Sequence, residues 1–170
     1  MISVEYCQLL ARYNRWMNER LYALAAECTD AERKRDGSAF FGSIHRTLSH
    51  VLWGDRVWLY RFTDTPYTVA PYGADMFAEF AALAAARELT DTKILAWAGS
   101  LSPQWLASTL EYRRSSDGGL RQLPAWIAAT HLFQHATHHR GQVLTLLQQA
   151  GKDIGATDLQ ALPGVVRVID

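Results

Sequence analysis

The sequence predicts an all-α protein, a four-helix bundle, and three observations predict it. Four long segments carry apolar residues at steps of three and four, the period of an amphipathic helix. Proline, glycine and charged clusters fall between those segments, where they punctuate the chain. The 170 residues, 49% hydrophobic and 20% charged, suffice for one buried core, and no repeat or linker marks a second. A single domain over residues 1–170 is expected.

The first helix is expected from Val4 to about Glu27, with Tyr6, Leu10, Tyr13, Met17, Leu21 and Leu24 as its apolar stripe. Thr29–Gly37 concentrates charge and reads as a solvated turn or short helical link. A second helix is expected from about Phe40 to Phe62, with Phe41, Ile44, Leu48, Val51 and Phe62 on one side. Thr63–Gly73 holds two prolines and a glycine; its eleven residues are long for a simple hairpin and suit a crossing at the bundle's end. Asp75 is the expected N-cap of a third helix running to about Leu101, carrying Phe77, Phe80, Leu83, Ile94 and Trp97. From Leu106 the pattern alternates through Ser108, Leu110 and Tyr112. Ser116-Asp117-Gly118-Gly119 then supplies a turn and Leu120–Leu123 a return strand, which together make a short β-hairpin. Pro124 suits the first turn of the fourth helix, which runs to about Ala150 with Gly151 at C′. The tail, Lys152–Asp170, reads as irregular.

Composition removes several function classes. Seventeen basic and seventeen acidic side chains leave no surplus cation for phosphate contacts, which excludes nucleic acid as the main partner. No stretch approaches the roughly 18 apolar residues of a membrane span. The N-terminal MISVEYCQLLARYNRW lacks a basic segment followed by an apolar run, so a cytoplasmic protein is expected. Cys7 and Cys28 are read on one helix, roughly 30 Å apart at 1.5 Å per residue, far outside disulfide reach. With no Cys-x-x-Cys pair, they read as two semi-buried thiols.

Histidine is where the sequence becomes specific. Four of the six lie in THLFQHATHHRGQ of the fourth helix. His135 and His139 sit one turn apart and continue the stripe of Leu132, Val143 and Leu146, so both point inward. His131 and His138 lie at its edge. Two inward imidazoles at this spacing can grip one metal ion, although His-x-x-x-His is a weak signal alone. No Glu follows the first His, so the HExxH protease pattern fails. A third ligand must come from the second helix, through His45 or His50. His50 lies beside the small residues Ser43, Thr47 and Gly54, whereas His45 neighbours Ser49 and Arg56 on what reads as a solvated flank. Periodicity leaves both open.

YNRWMNERLY, FFGSIHRTLSHVLWGDRVWLYRF, FAEFAALAAARELTD and above all HLFQHATHHRGQVLTLLQQAGKDIGATDL resemble the DinB-like (damage-inducible) superfamily over nearly the whole chain. The resemblance implies a bundle of up-down-down-up topology, often dimeric, with a divalent metal on three histidines. Carried over residue by residue, those ligands fall on His50 in LSHVLW and on His135 and His139 in QHATHH. Zinc or nickel is the expected ion, with iron or manganese also compatible with imidazole.

Other residues around the motif are candidates for orienting a ligand or meeting a substrate: His138, Arg140, His131 and Asp55. Each has an alternative. His138 and Arg140 suit plain contacts to the first helix, and His131 a hydrogen-bonded core position. Asp55, amid an apolar stripe, needs a partner such as Arg12 or Arg15. Gly141, costly inside a helix, suggests close approach by a neighbouring backbone.

Three neutral histidines leave a divalent ion its full charge and an open position, which is the pattern of catalytic sites. Such an ion lowers the pKa of bound water or activates a thiolate. Relatives in the superfamily resemble thiol S-transferases and a mycothiol-dependent isomerase group. The resemblance therefore implies an enzyme acting on a small molecule, with a low-molecular-weight thiol as cosubstrate, Arg140 or its neighbours positioning substrate, and a homodimer as the assembly. A metal-dependent hydrolase fits the same site. The alternative is a non-catalytic metal-binding or bacterial stress-response protein in which the ion is structural. DNA repair, suggested only by the superfamily's name, conflicts with the balanced charge.

Overall fold

Local capping sets where each helix begins. In the computed structural model, which describes residues 2–65, 68, 70–114 and 117–167, the Ser3 hydroxyl accepts from the Tyr6 N–H and opens α1 (Val4–Ala26). Thr29 and Glu32 form a reciprocal capping box on α2 (Asp30–Lys34), the short link expected from the charged stretch. Ser43 caps α3 (Ile44–Thr63), so the second long helix begins later than the expected Phe40. Gly42, at φ +79°, turns the chain just before it and leaves Phe41 in the connection. Cys28 likewise lies beyond the end of α1; both thiols are buried and unbridged.

The third long helix, α4 (Phe80–Ser100), also starts late. Asp75 does not cap it but faces Arg46 across 3.6 Å. Phe77 precedes the helix, and its carbonyl accepts a hydrogen bond from His45 Nε2 at 2.7 Å. His45 is therefore buried, where the sequence suggested a solvated flank. Leu106 belongs to a short helix, α5 (Pro103–Ala107), capped by Ser102, instead of opening a strand. The hairpin itself forms as expected from β1 (Thr109–Arg113) and β2 (Leu120–Pro124), antiparallel with Leu110 opposite Leu123. Pro124 closes β2 and stands just before α6 (Ala125–Gln149). Gly151, at φ +76°, ends α6 in a Schellman arrangement, with the Lys152 N–H donating to the Leu147 carbonyl at 2.9 Å. Ser116 of the expected turn, Pro66, Tyr67 and Val69 of the crossing, and the last three residues lie outside the described residues.

Paired contacts give the helix directions. His45 meets Phe77 and Arg56 meets Thr90, so α3 and the segment leading through α4 run parallel. The 64–79 connection must therefore return along the bundle, which is why it is long. Asn14 bonds Asp91 while Tyr22 stacks on Phe80, so α1 and α4 are antiparallel. His50 meets His139 and Trp58 meets His131, so α3 and α6 are antiparallel too. The topology is up-down-down-up, counting α1, α3, α4 and α6.

The apolar core is split in two. Met17, Leu21, Leu48, Leu52, Val143 and Leu147 belong to one cluster. Cys7, Ala11, Phe62, Ile94, Trp97 and Leu132 belong to the other. Between them each of the four long helices contributes a buried polar residue: Asn14 and Asn18 from α1, Asp55 from α3, Arg87 and Asp91 from α4, and Arg140 from α6. Arg87 bridges Asp55 at 2.6 Å and Asp91 at 2.8 Å. Asn18 donates to Asp91 at 2.9 Å, and Arg140 donates to the side-chain Oδ1 of Asn14. Two carboxylates and two guanidiniums balance in charge, which makes burial tolerable where a lone ion would be costly. Asp55 thus pairs as its apolar surroundings demanded, but with Arg87 in place of Arg12 or Arg15.

Candidate metal centre

The histidines stand at the level of this polar layer. On α3, His50 and Gly54 are one turn apart; on α6, His139 and His135 are one turn apart and run the opposite way. Gly54 faces His135 so closely that a Cβ there would lie 2.6 Å from the imidazole Cε1. The small side of α3 expected around His50 is thus filled by a ring from α6. Gly141 does the reverse of what its cost suggested, since nothing lies within 4 Å of a Cβ placed there.

His50, His135 and His139 each bring one ring nitrogen into a group whose members lie within 4.8 Å of one another. Nε2 of His50 and Nε2 of His135 are 3.1 Å apart. Nδ1 of His139 donates to Gln142 Oε1 at 2.8 Å, which leaves the lone pair on Nε2. Phe41 stacks on His50 with ring centroids 3.9 Å apart and touches His139 edge-on. Burial, joined by the neighbouring His139, pushes His50 down to about 4. Burial first, then His139 and His50, pushes His135 to about 3. His139 is lowered too, mainly by burial. All three are therefore neutral at pH 7, the state in which imidazole is a ligand.

Whether these residues fit a divalent ion is answered by the donor set. Three neutral nitrogen donors converge, and Nδ1 of both His50 and His135 is buried without a partner. A pair of Nε2 atoms at 3.1 Å satisfies only one proton between two rings, so the cluster has more lone pairs than it can use internally. The three residues lie close enough together, and carry the right donors, to hold a divalent metal ion.

The remaining candidates divide. His131 is exposed, sits edge-on to Trp58 and lies outside the three-histidine group. His138 is exposed and meets Gln142 Nε2 at 3.4 Å. Arg140 turns away from the histidines, buried against Asn14 and Thr137. Asp55 lies behind the site in the polar layer, where burial pushes its carboxyl up to about 6 against the pull of Arg87. The sequence did not single out Arg87 and Asp91, whose i, i+4 spacing on α4 was the available signal, or Gln142, three residues after His139.

The histidines form one end of a cavity of about 930 Å³. Trp53, Trp58 and Tyr72 wall it, and Tyr112 and Arg114 reach it from the hairpin. Trp53 Nε1 donates to the Ala70 carbonyl at 2.8 Å, which ties the crossing segment over the cavity.

A parallel-crossing four-helix bundle with a histidine-lined cavity between its second and fourth long helices defines the class of protein. The chain belongs to the DinB family, whose sequence profile matches residues 1–164. It is 25% identical over 158 residues to Protein DinB of Bacillus subtilis (strain 168), covering 88% of each chain. It is also similar in fold to the crystal structure of a DinB-like protein from Bacillus cereus ATCC 10987. That likeness has a TM-score of 0.63 at 17% identity and covers 82% of this chain and 89% of the other. Among the described residues no helix is long and apolar enough to cross a membrane.

Proposed function

We propose that the chain is a metal-dependent enzyme acting on a small molecule, with a divalent ion held by His50, His135 and His139 and a low-molecular-weight thiol as cosubstrate. The observation that carries this reading is the convergence of three neutral imidazoles on the wall of a cavity large enough for a small-molecule substrate. His50, His135 and His139 would hold a divalent ion without neutralising its charge, and the ion would supply Lewis-acid activation of water or a thiol.

The chain's own residues do the rest. Gln142 fixes the tautomer of His139, Phe41 shields His50 from water, and Gly54 leaves the space His135 occupies. The Trp53–Ala70 hydrogen bond fixes Ala70 in the cavity wall beside Pro71 and Tyr72. Against a bracing role for the ion stands the buried Asp55–Arg87–Asp91 layer, which with Asn14 and Arg140 already ties the four long helices together.

Metal removal tests this reading. Protein treated with chelator is expected to keep its helical circular dichroism, and cobalt-loaded protein to change its visible spectrum when a thiol is added. Loss of the helical signal on chelation would instead make the ion structural.

A further inference from the structure

The histidine cavity has a second polar end. His50, Gly54, Trp58 and Arg61 follow one another along the same face of α3, so Arg61 closes the cavity at the far end from His50. Its guanidinium lies over the Trp58 ring at 4.6 Å and over the Tyr112 ring at 4.2 Å. Helical side chains lean toward the N-terminus, which places this group near the level of Trp58, roughly 12 Å from His50 along the axis at 1.5 Å per residue.

Arg61 is half-buried and forms no ion pair among the described residues. Burial lowers its pKa from the ordinary value, against a smaller opposing effect of Tyr112. The two fully buried arginines both have side-chain partners: Arg87 lies between two carboxylates, and Arg140 donates to Asn14 and Thr137. Among the described residues no acidic side chain lines the cavity, and the second arginine there, Arg114, is exposed with Asp117 3.7 Å away. Cation–π contact with Trp58 and Tyr112 holds the guanidinium without using its N–H donors, and the planar fork of an arginine suits a bidentate contact with a carboxylate.

We infer that Arg61 is the specificity residue of this cavity, and that the substrate is an organic carboxylate with an aromatic or flat apolar body. The carboxylate binds Arg61 as a bidentate pair. The body lies against Trp58 and Trp53, and the end remote from the carboxylate reaches the histidines. This deepens the metal-enzyme reading and rests on it only for where the reactive end lies.

The test is calorimetric titration of 4-biphenylcarboxylate, with 4-biphenylcarboxamide as its neutral counterpart, into metal-free and zinc-loaded protein. The carboxylate is expected to bind both forms, at least tenfold tighter than the amide. Arg61→Gln is expected to lose about 10- to 100-fold in carboxylate affinity and little for the amide. Arg61→Lys, which keeps the charge without the fork, should fall between, and circular dichroism checks that both variants fold. Equal binding of acid and amide, or no binding of either, overturns the inference. So does carboxylate binding that needs zinc and ignores Arg61, although that result leaves the metal centre standing. Arg61-dependent binding in a protein that takes up no metal would support the anion site and overturn the metal reading instead.

Discussion

Gly54 and His135 occupy each other's space: a Cβ on the glycine would lie 2.6 Å from Cε1 and 3.0 Å from Nδ1 of the imidazole. Helix propensity alone favours Ala over Gly by about 1 kcal/mol. The account therefore predicts that Gly54→Ala displaces the His135 ring and weakens metal binding by at least tenfold, whatever it does to stability. Competitive metal titration beside thermal unfolding separates the two effects. Unchanged affinity would show that His135 is not held where the metal needs it.

Gln142 accepts from Nδ1 of His139 at 2.8 Å. Groups that orient a ligand histidine are typically worth 10- to 100-fold in metal affinity. Gln142→Leu should lower zinc affinity by about that factor, and Gln142→Glu, which retains an acceptor, should not. Zinc binding measured against a chromophoric chelator decides this.

The polar layer makes a prediction about stability. Arg87 is buried between Asp55 and Asp91. Arg87→Met leaves Asp55 without its partner and Asp91 with only the amides of Asn14 and Asn18, and should cost about 3–5 kcal/mol, the usual penalty for breaking a buried pair from one side. Urea unfolding of metal-free protein measures it. A loss below about 1 kcal/mol would mean that the layer does not hold the helices together.

Acid should destabilise the metal-free protein through its histidines. Unfolded, these imidazoles titrate near 6.5, whereas burial holds His50 to about 4 and His135 to about 3 when folded. As pH falls the unfolded chain takes up protons first, with at most one proton of difference per residue. Their contribution is fully present above pH 6.5 and is lost as pH falls toward 4 and 3. Urea midpoints between pH 7 and 4.5 should decline, and His135→Gln should decline less steeply.

Much of this was legible in the sequence, for identifiable reasons. The four apolar stripes gave the helices because burial of one face imposes its period on the chain. His135 and His139 were readable because both lie on that stripe. His50 was not separable from His45 by periodicity, since the contact that buries His45 comes from Phe77, distant in sequence and outside any helix. Helix starts shifted at Ile44 and Phe80 because Ser43 supplied a cap and Asp75 was drawn to Arg46. The polar layer was half visible: Asp55 amid apolar residues demanded a partner, but choosing Arg87 over Arg12 required knowing that α3 and α4 run parallel.

The most direct test of the central claim is metal content by elemental analysis of untagged protein, wild type beside His50→Ala, His135→Ala and His139→Ala. Close to one divalent ion per wild-type chain is expected, and its loss in each variant, with the helical circular dichroism retained. Wild-type protein that cannot be loaded with zinc, nickel or manganese would contradict it, and the three histidines would then be a buried polar cluster without a metal.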